Sequence, residues 1–202
     1  MMKKVLFLLL FVPIFCYGQN KEQIELINKW KESGYFKIDG ENIVVSRVID
    51  SISGTKDDIY IKVKNYFVRA YKDANSVIQT DDKQAGTVIG KGLYDLMTCT
   101  YMISATHNYK AYHIMRVDIK DGKVRVICSV SDIDVDQKGT NNYLKKSSYP
   151  ILDYAPIGDK RLFDKGKQTE AFIKLVDRMN GSINALEKSI KEGSLKIENE
   201  EW

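Results

Sequence analysis

Apolar positions along this chain fall into two rhythms: three-and-four spacing in three stretches, and near-alternation in the segments between them. The first rhythm predicts helices, the second strands. Residues 21–33 place Ile24, Ile27 and Trp30 on one stripe with Leu26 beside it, and Gly34 stands as a stop signal. Tyr35-Phe36-Lys37-Ile38, Asp39-Gly40 and residues 43–49 read as a strand, a tight turn and a longer strand, because Asp-Gly supplies the positive φ of a hairpin turn. Val44 and Val48 alternate with Ile43 and Val45, so this second strand is expected to be buried on both faces.

Thr55 has the position and chemistry of a helix cap, with Asp58 placed for a capping box and Asp57 and Asp58 both suited to the positive helix end. After it, Ile59, Val63, Tyr66, Phe67, Ala70 and Tyr71 form one core-facing stripe, while Ile61 and Val68 lie on another face. Residues 77–80 and 85–93 read as two strands about a polar turn. Residues 94–108 resist assignment: they are apolar and β-prone around 97–103 and then run into a loop holding His107.

The clearest hairpin follows. Residues 111–119 and 124–130 flank Asp121-Gly122, a two-residue type I′ signal. Pairing across it sets Ile119 against Val124, Val117 against Val126, Met115 against Cys128 and His113 against Val130 on one face. Asp118 meets Arg125 on the other. Residues 138–166 show no strong period and read as a long tyrosine-bearing loop of net charge 6 − 3 = +3, the kind of segment that often carries binding. Finally, residues 168–191 hold Phe172, Val176, Met179, Ile183, Leu186 and Ile190 at alternating spacings of four and three. That is a helix of roughly 35 Å with a continuous apolar seam, expected to lie on a sheet and otherwise able to pair with a second copy.

The chemistry these elements display is sparse. Gly86, Gly90 and Gly92 match neither the dinucleotide-binding nor the Walker spacing. Glycines in a strand mark bulges, bends or close approach of another element. Asp132, Asp134 and Asp136 alternate along a strand, but a calcium loop needs glycine where Gln137 stands and glutamate where Tyr143 stands. The chain has two histidines and no Gly-x-Ser-x-Gly. No catalytic, cofactor-binding or metal residue is assigned.

Composition changes the picture mainly at the amino end. Lys3 and Lys4, an apolar run over residues 5–15 and Cys16-Tyr17-Gly18 have the form of an export leader, with cleavage expected before Gln19. The run is shorter than the ~20 residues a transmembrane helix needs, and bulky Phe15 weighs against acylation of Cys16. Without Lys3 and Lys4 the net charge falls from +4 to 4 − 2 = +2, so no nucleic-acid footprint is expected. Cys99 and Cys128 would remain in an exported chain, compatible with a disulfide or with two buried thiols. The expected layout is a leader (1–18), an N-terminal helix (19–34), one α+β domain (35–193) and a tail (194–202).

Several segments, in this order, resemble a family: Val48-Ile-Asp, Gly54-Thr-Lys-Asp-Asp-Ile-Tyr60, Tyr66-Phe67 with Tyr71-Lys-Asp, Val77-Ile-Gln-Thr-Asp81, Gly86-Thr-Val-Ile-Gly-Lys-Gly92 and Asp121-Gly-Lys-Val-Arg125. They are similar to exported bacterial proteins of domain-of-unknown-function family 4468. The resemblance spans roughly residues 43–134; Phe67 stands where relatives often have tryptophan. It implies a TBP-like α+β fold, β-α-β-β-β-β-α: a curved antiparallel sheet with a capped helix and a long C-terminal helix packed on it. The family carries no assigned activity, so no site residue transfers, and the fold label says nothing about DNA.

The expected function is therefore that of a non-enzymatic cell-envelope module, periplasmic or outer-envelope associated. It would bind a small apolar ligand between sheet and long helix, or an envelope protein, without cofactor, nucleic acid or membrane span. His113, Met115, Tyr143, Tyr149, Tyr154 and Met179 are the candidate contacts. A dimer through the final helix and a hydrolase lacking any recognisable motif are the alternatives.

Overall fold

The computed structural model describes residues 21–71, 77–102, 105–139, 144–161 and 165–192. The expected leader and its expected cleavage before Gln19, Cys16, Tyr143 and the expected 194–202 tail lie outside the described residues.

The chain builds α1 (Lys21–Ser33), the hairpin β1 (Lys37–Asp39) and β2 (Asn42–Ile49), and α2 (Lys56–Ala70). Six further strands follow: β3 (Ile78–Asp82), β4 (Thr87–Met102), β5 (Ala105–Lys120), β6 (Lys123–Val130), β7 (Asp132–Gly139) and β8 (Leu144–Pro150). A 3₁₀ turn (Ile151–Asp153) leads to α3 (Lys165–Glu192). The sheet order is β1-β2-β6-β5-β4-β3, all neighbours antiparallel, with β7 on β5 and β8 on β7. Segments β2-α2-β3-β4-β5-β6-α3 carry the expected β-α-β-β-β-β-α order; β1, β7, β8 and α1 are additions.

Local chemistry fixes the helix ends. The Thr55 hydroxyl accepts from the Asp58 amide, and the Asp58 carboxylate accepts from the Thr55 amide, completing the capping box that starts α2. Asp121 Oδ1 takes a further free amide, that of Lys56, at 2.8 Å, so the β5–β6 turn also caps the helix. Here the turn departs from expectation. Gly122 has φ 70° but Asp121 is not in the left-handed region, and a type I′ turn needs positive φ at both.

α2 and α3 cover one face of the sheet. All six seam residues of α3 are at most 2% exposed, so the seam is closed within the chain. On β5 the odd positions Tyr109, Ala111, Met115 and Val117 face this core, fully buried, while the even positions face away. On α2 the stripe is buried through Ile59, Val63, Tyr66 and Phe67 and includes Tyr60; Ala70 is exposed.

The expected hairpin register is observed for Ile119–Val124, Val117–Val126, Met115–Cys128 and Asp118–Arg125. The ladder ends at Ile114–Ser129, before His113 could meet Val130; His113 is opposite Gly92 on β4 instead.

Three expectations are corrected. Residues 94–102 are strand, and the loop expected over 104–108 is strand from Ala105 onward. β4 and β5 continue as a long hairpin after a bulge between Tyr94 and Thr98, where β4 gains two residues on β5. His107 is therefore a buried strand residue. Residues 138–166 are not one loop, since β8 and the 3₁₀ turn lie within them and α3 begins at Lys165. The missing signal is physical: Lys145, Lys146, Ser147 and Ser148 pair with β7 through backbone, with no apolar alternation to advertise it. Lastly, β2 is not buried on both faces. Ile43, Val45 and Ile49 are inside, but Val48 is 56% exposed, on a side that no described helix covers.

The cysteines sit far apart. Cys99 is opposite Asn108 and Cys128 opposite Met115. Seven residues along β5 amount to about 23 Å, against the ~7 Å limit for a bridge. Cys128 is a buried free thiol.

Candidate functional site on the open sheet face

The residues singled out from sequence divide between two places. His113, Met115 and Met179 come together between sheet and helices, each at most 1% exposed. Tyr149 and Tyr154 pack edge to face at 5.3 Å on the flank of the core, with Lys160 over Tyr154 and paired to Asp153 at 2.6 Å.

Around His113 lies a buried polar cluster. Its Nε2 shares a 2.7 Å hydrogen bond with the Tyr71 hydroxyl, and its ring stacks on Tyr94 at 4.0 Å. The Tyr94 hydroxyl meets Ser182 Oγ at 2.9 Å and Cys128 Sγ at 3.8 Å. The Tyr66 hydroxyl donates to the Ser182 carbonyl. Burial sets the proton positions: it pushes His113 down to about 4 and Cys128 and Tyr66 up to about 12. At neutral pH the cluster is an uncharged imidazole, a thiol and phenols. A nucleophilic cysteine needs a thiolate and access; Cys128 is buried and its thiol is pushed up, and the cluster packs α2 and α3 onto the sheet.

The glycines of β4 explain how the cluster fits. A Cβ on Gly90 would lie 2.4 Å from Phe67 Cε1, and one on Gly92 2.3 Å from Tyr71 Cε1 and 2.5 Å from His113 Cε1. These two residues are bare so that the aromatics of α2 can rest against the strand.

Among the described residues no helix lies on the opposite face. There Leu93 pairs with Tyr112 and Lys91 with Ile114 across the β4–β5 ladder. Leu93, Tyr112 and Ile114 are 40%, 51% and 46% exposed, an apolar strip formed by cross-strand neighbours. Lys91 Nζ stands 4.6 Å from the Tyr112 ring centroid.

Two hollows flank Tyr112. One, of about 280 Å³, is bounded by Leu93, Lys110, Asp136 and Lys146; the other, of about 260 Å³, by Lys91, Ile114, Ser129 and Asp132. Tyr112, Asp134 and Ser148 line both. The β4 bulge shapes this wall. Lys110, beside it, reaches Asp95 at 3.2 Å and Asp136 at 2.8 Å, and the Asp136 hydrogen bond leads in raising its pKa. The Asp95 carbonyl accepts from Arg178 of α3. Among the described residues Asp134 has no ion pair or side-chain hydrogen bond.

Sequence reasoning missed this site. Its signal was present in the even positions of β5, where Tyr112 and Ile114 are large apolar residues on a face that also carries Arg116 and Asp118. The alternating Asp132, Asp134 and Asp136 do share that face, but as the rim of the hollows. Among the described residues no group of three or more side chains is placed to hold a metal ion, and no helix is long and apolar enough to cross a membrane.

Residues 46–134 match a family described as a domain of unknown function, DUF4468, with TBP-like fold. The chain is similar in structure to a TBP-like protein from Parabacteroides distasonis (TM-score 0.57, 16% identity, 78% of this chain and 97% of that one). It is likewise similar to a DUF4468 family protein from Bacteroides ovatus (TM-score 0.55, 16% identity, 82% and 95%). No curated protein matches the chain. At 16% identity these likenesses show the fold alone.

Proposed function

We propose that this chain, whose residues 46–134 belong to the DUF4468 family with its TBP-like fold, is an exported, non-enzymatic binding module of the cell envelope that works through the open face of its sheet. One observation carries the reading: Leu93, Tyr112 and Ile114 are large, exposed and contiguous on a face that none of the described helices covers. A contiguous apolar patch with a polar rim is the usual form of an interaction site. The alternative position for an apolar ligand, between sheet and α3, is filled by side chains packed to full burial. The export part rests on the basic and apolar composition of residues 3–18.

The test is fractionation of cells producing the full chain, followed by co-sedimentation of the purified mature protein with washed, insoluble envelope. The wild type is expected outside the cytoplasm and in the envelope pellet, and Leu93→Asp with Tyr112→Asp is expected to remain soluble. Equal sedimentation of both proteins would overturn the role of the sheet face. A cytoplasmic wild type would overturn export.

A further inference from the structure

Resting on the sheet-face reading, we infer that the occupant of the two hollows is a neutral glycan whose sugar rings lie against Tyr112. Charge is the first constraint. Lys91, Lys110 and Lys146 face Asp132, Asp134 and Asp136 across the two hollows, 3 − 3 = 0. Such a balanced surface neither gathers a polyanion by counterion release nor holds a polycation. The occupant is uncharged.

Polarity is the second constraint. Asp134 lies between the hollows without a side-chain partner among the described residues, with the Ser148 and Ser129 hydroxyls nearby in the lining. Covering these groups with a purely apolar ligand would strip their water without replacement. A ligand carrying its own hydroxyls replaces it: hydroxyls donate to the carboxylate and exchange hydrogen bonds with the serines. Tyr112 supplies the other half of the recognition. The C–H face of a pyranose ring is apolar and faintly positive, and it packs on the negative face of an aromatic ring.

Size is the third. Each hollow is smaller than the ~300–1,000 Å³ of a pocket that encloses a drug-sized ligand. Two small adjacent hollows sharing one aromatic wall suit a chain of small repeating units better than one compact molecule. An extended peptide fits less well. The floor strands are paired across the β4–β5 ladder, and on its other side β5 lacks a ladder partner only over residues 111–113, between the ends of its β6 and β7 ladders, too short a stretch for a peptide main chain to add a strand.

Native gel electrophoresis of the mature protein through gels holding dextran, mannan, xyloglucan, alginate or chitosan tests this. Retardation by at least one of the three neutral polysaccharides is expected. Its apparent Kd should rise at least tenfold for Tyr112→Ala and for Asp134→Asn, and be largely kept by Tyr112→Phe. Cooperative melting within a few degrees of the wild type shows that each of these surface variants is folded. The inference is overturned by no retardation in any neutral gel, by retardation that Tyr112→Ala leaves intact, or by retardation in the alginate or chitosan gel alone. If the glycans fail while envelope sedimentation still depends on Tyr112, only the glycan assignment falls. If sedimentation is also independent of Tyr112, the sheet-face reading falls with it.

Discussion

Leu93 and Tyr112 face each other across the β4–β5 ladder on the side of the sheet opposite α2 and α3, 40% and 51% exposed. Tyr109, three residues away on β5, points the other way and is fully buried. The same residue type on opposite faces of one strand should respond unequally to truncation. Tyr112→Ala forfeits a cross-strand contact and a cation–π contact, about 1 kcal/mol at most. Tyr109→Ala leaves a core cavity and should cost about 3–5 kcal/mol, as for other large aromatics. Urea unfolding of the two variants measures the difference.

Gly92 is fixed by what rests on it. Gly92→Ala drives a Cβ against Tyr71 and His113, an overpacking expected to cost about 1–3 kcal/mol. Gly181, where a Cβ meets nothing within 4 Å, lies in the interior of α3. Gly181→Ala should stabilise by about 0.5–1 kcal/mol through helix propensity. Chemical denaturation of both variants checks the opposed signs.

His113 gives stability a pH dependence. Burial lowers it from 6.5 to about 4 in the folded protein. Between those values the unfolded chain binds the extra proton, so stability rises with pH. The neutral imidazole's full contribution is present above pH 6.5 and is lost as pH falls through 4, on the order of 3 kcal/mol in all. His113→Gln should flatten this part of the stability–pH curve, measured by urea midpoints from pH 7 to pH 4.

Cys128 should behave as a buried hydrophobic residue. With its thiol pushed up to about 12 and no bridge to Cys99, dithiothreitol should leave the melting temperature unchanged. Under native conditions a thiol reagent should leave Cys128 unmodified. Intact mass with and without unfolding reads both.

How much of this was legible in the sequence depended on which face a residue serves. The capping box at Thr55 and Asp58, the β5–β6 register and the α3 seam were readable, because local hydrogen bonds and strict periodicity set them. The bulge between Tyr94 and Thr98 and strand β8 were not: one breaks the alternation that would announce it, and the other is polar and held by backbone pairing. The glycines of β4 announced close approach but not its object, since Phe67 and Tyr71 come from another element. The hollows around Tyr112 were hidden for a related reason. They exist only where β4, β5, β6, β7 and β8 lie side by side, and their polar residues read singly as ordinary solvated positions.

Side-chain footprinting of the purified protein with hydroxyl radicals, with and without washed envelope, tests the central claim most directly. Ile61 and Val68, 54% and 51% exposed on α2, serve as the control face. The account predicts that envelope protects Leu93, Tyr112 and Ile114 while Ile61 and Val68 label as before. Protection of Ile61 and Val68 with Tyr112 still fully labelled would contradict it.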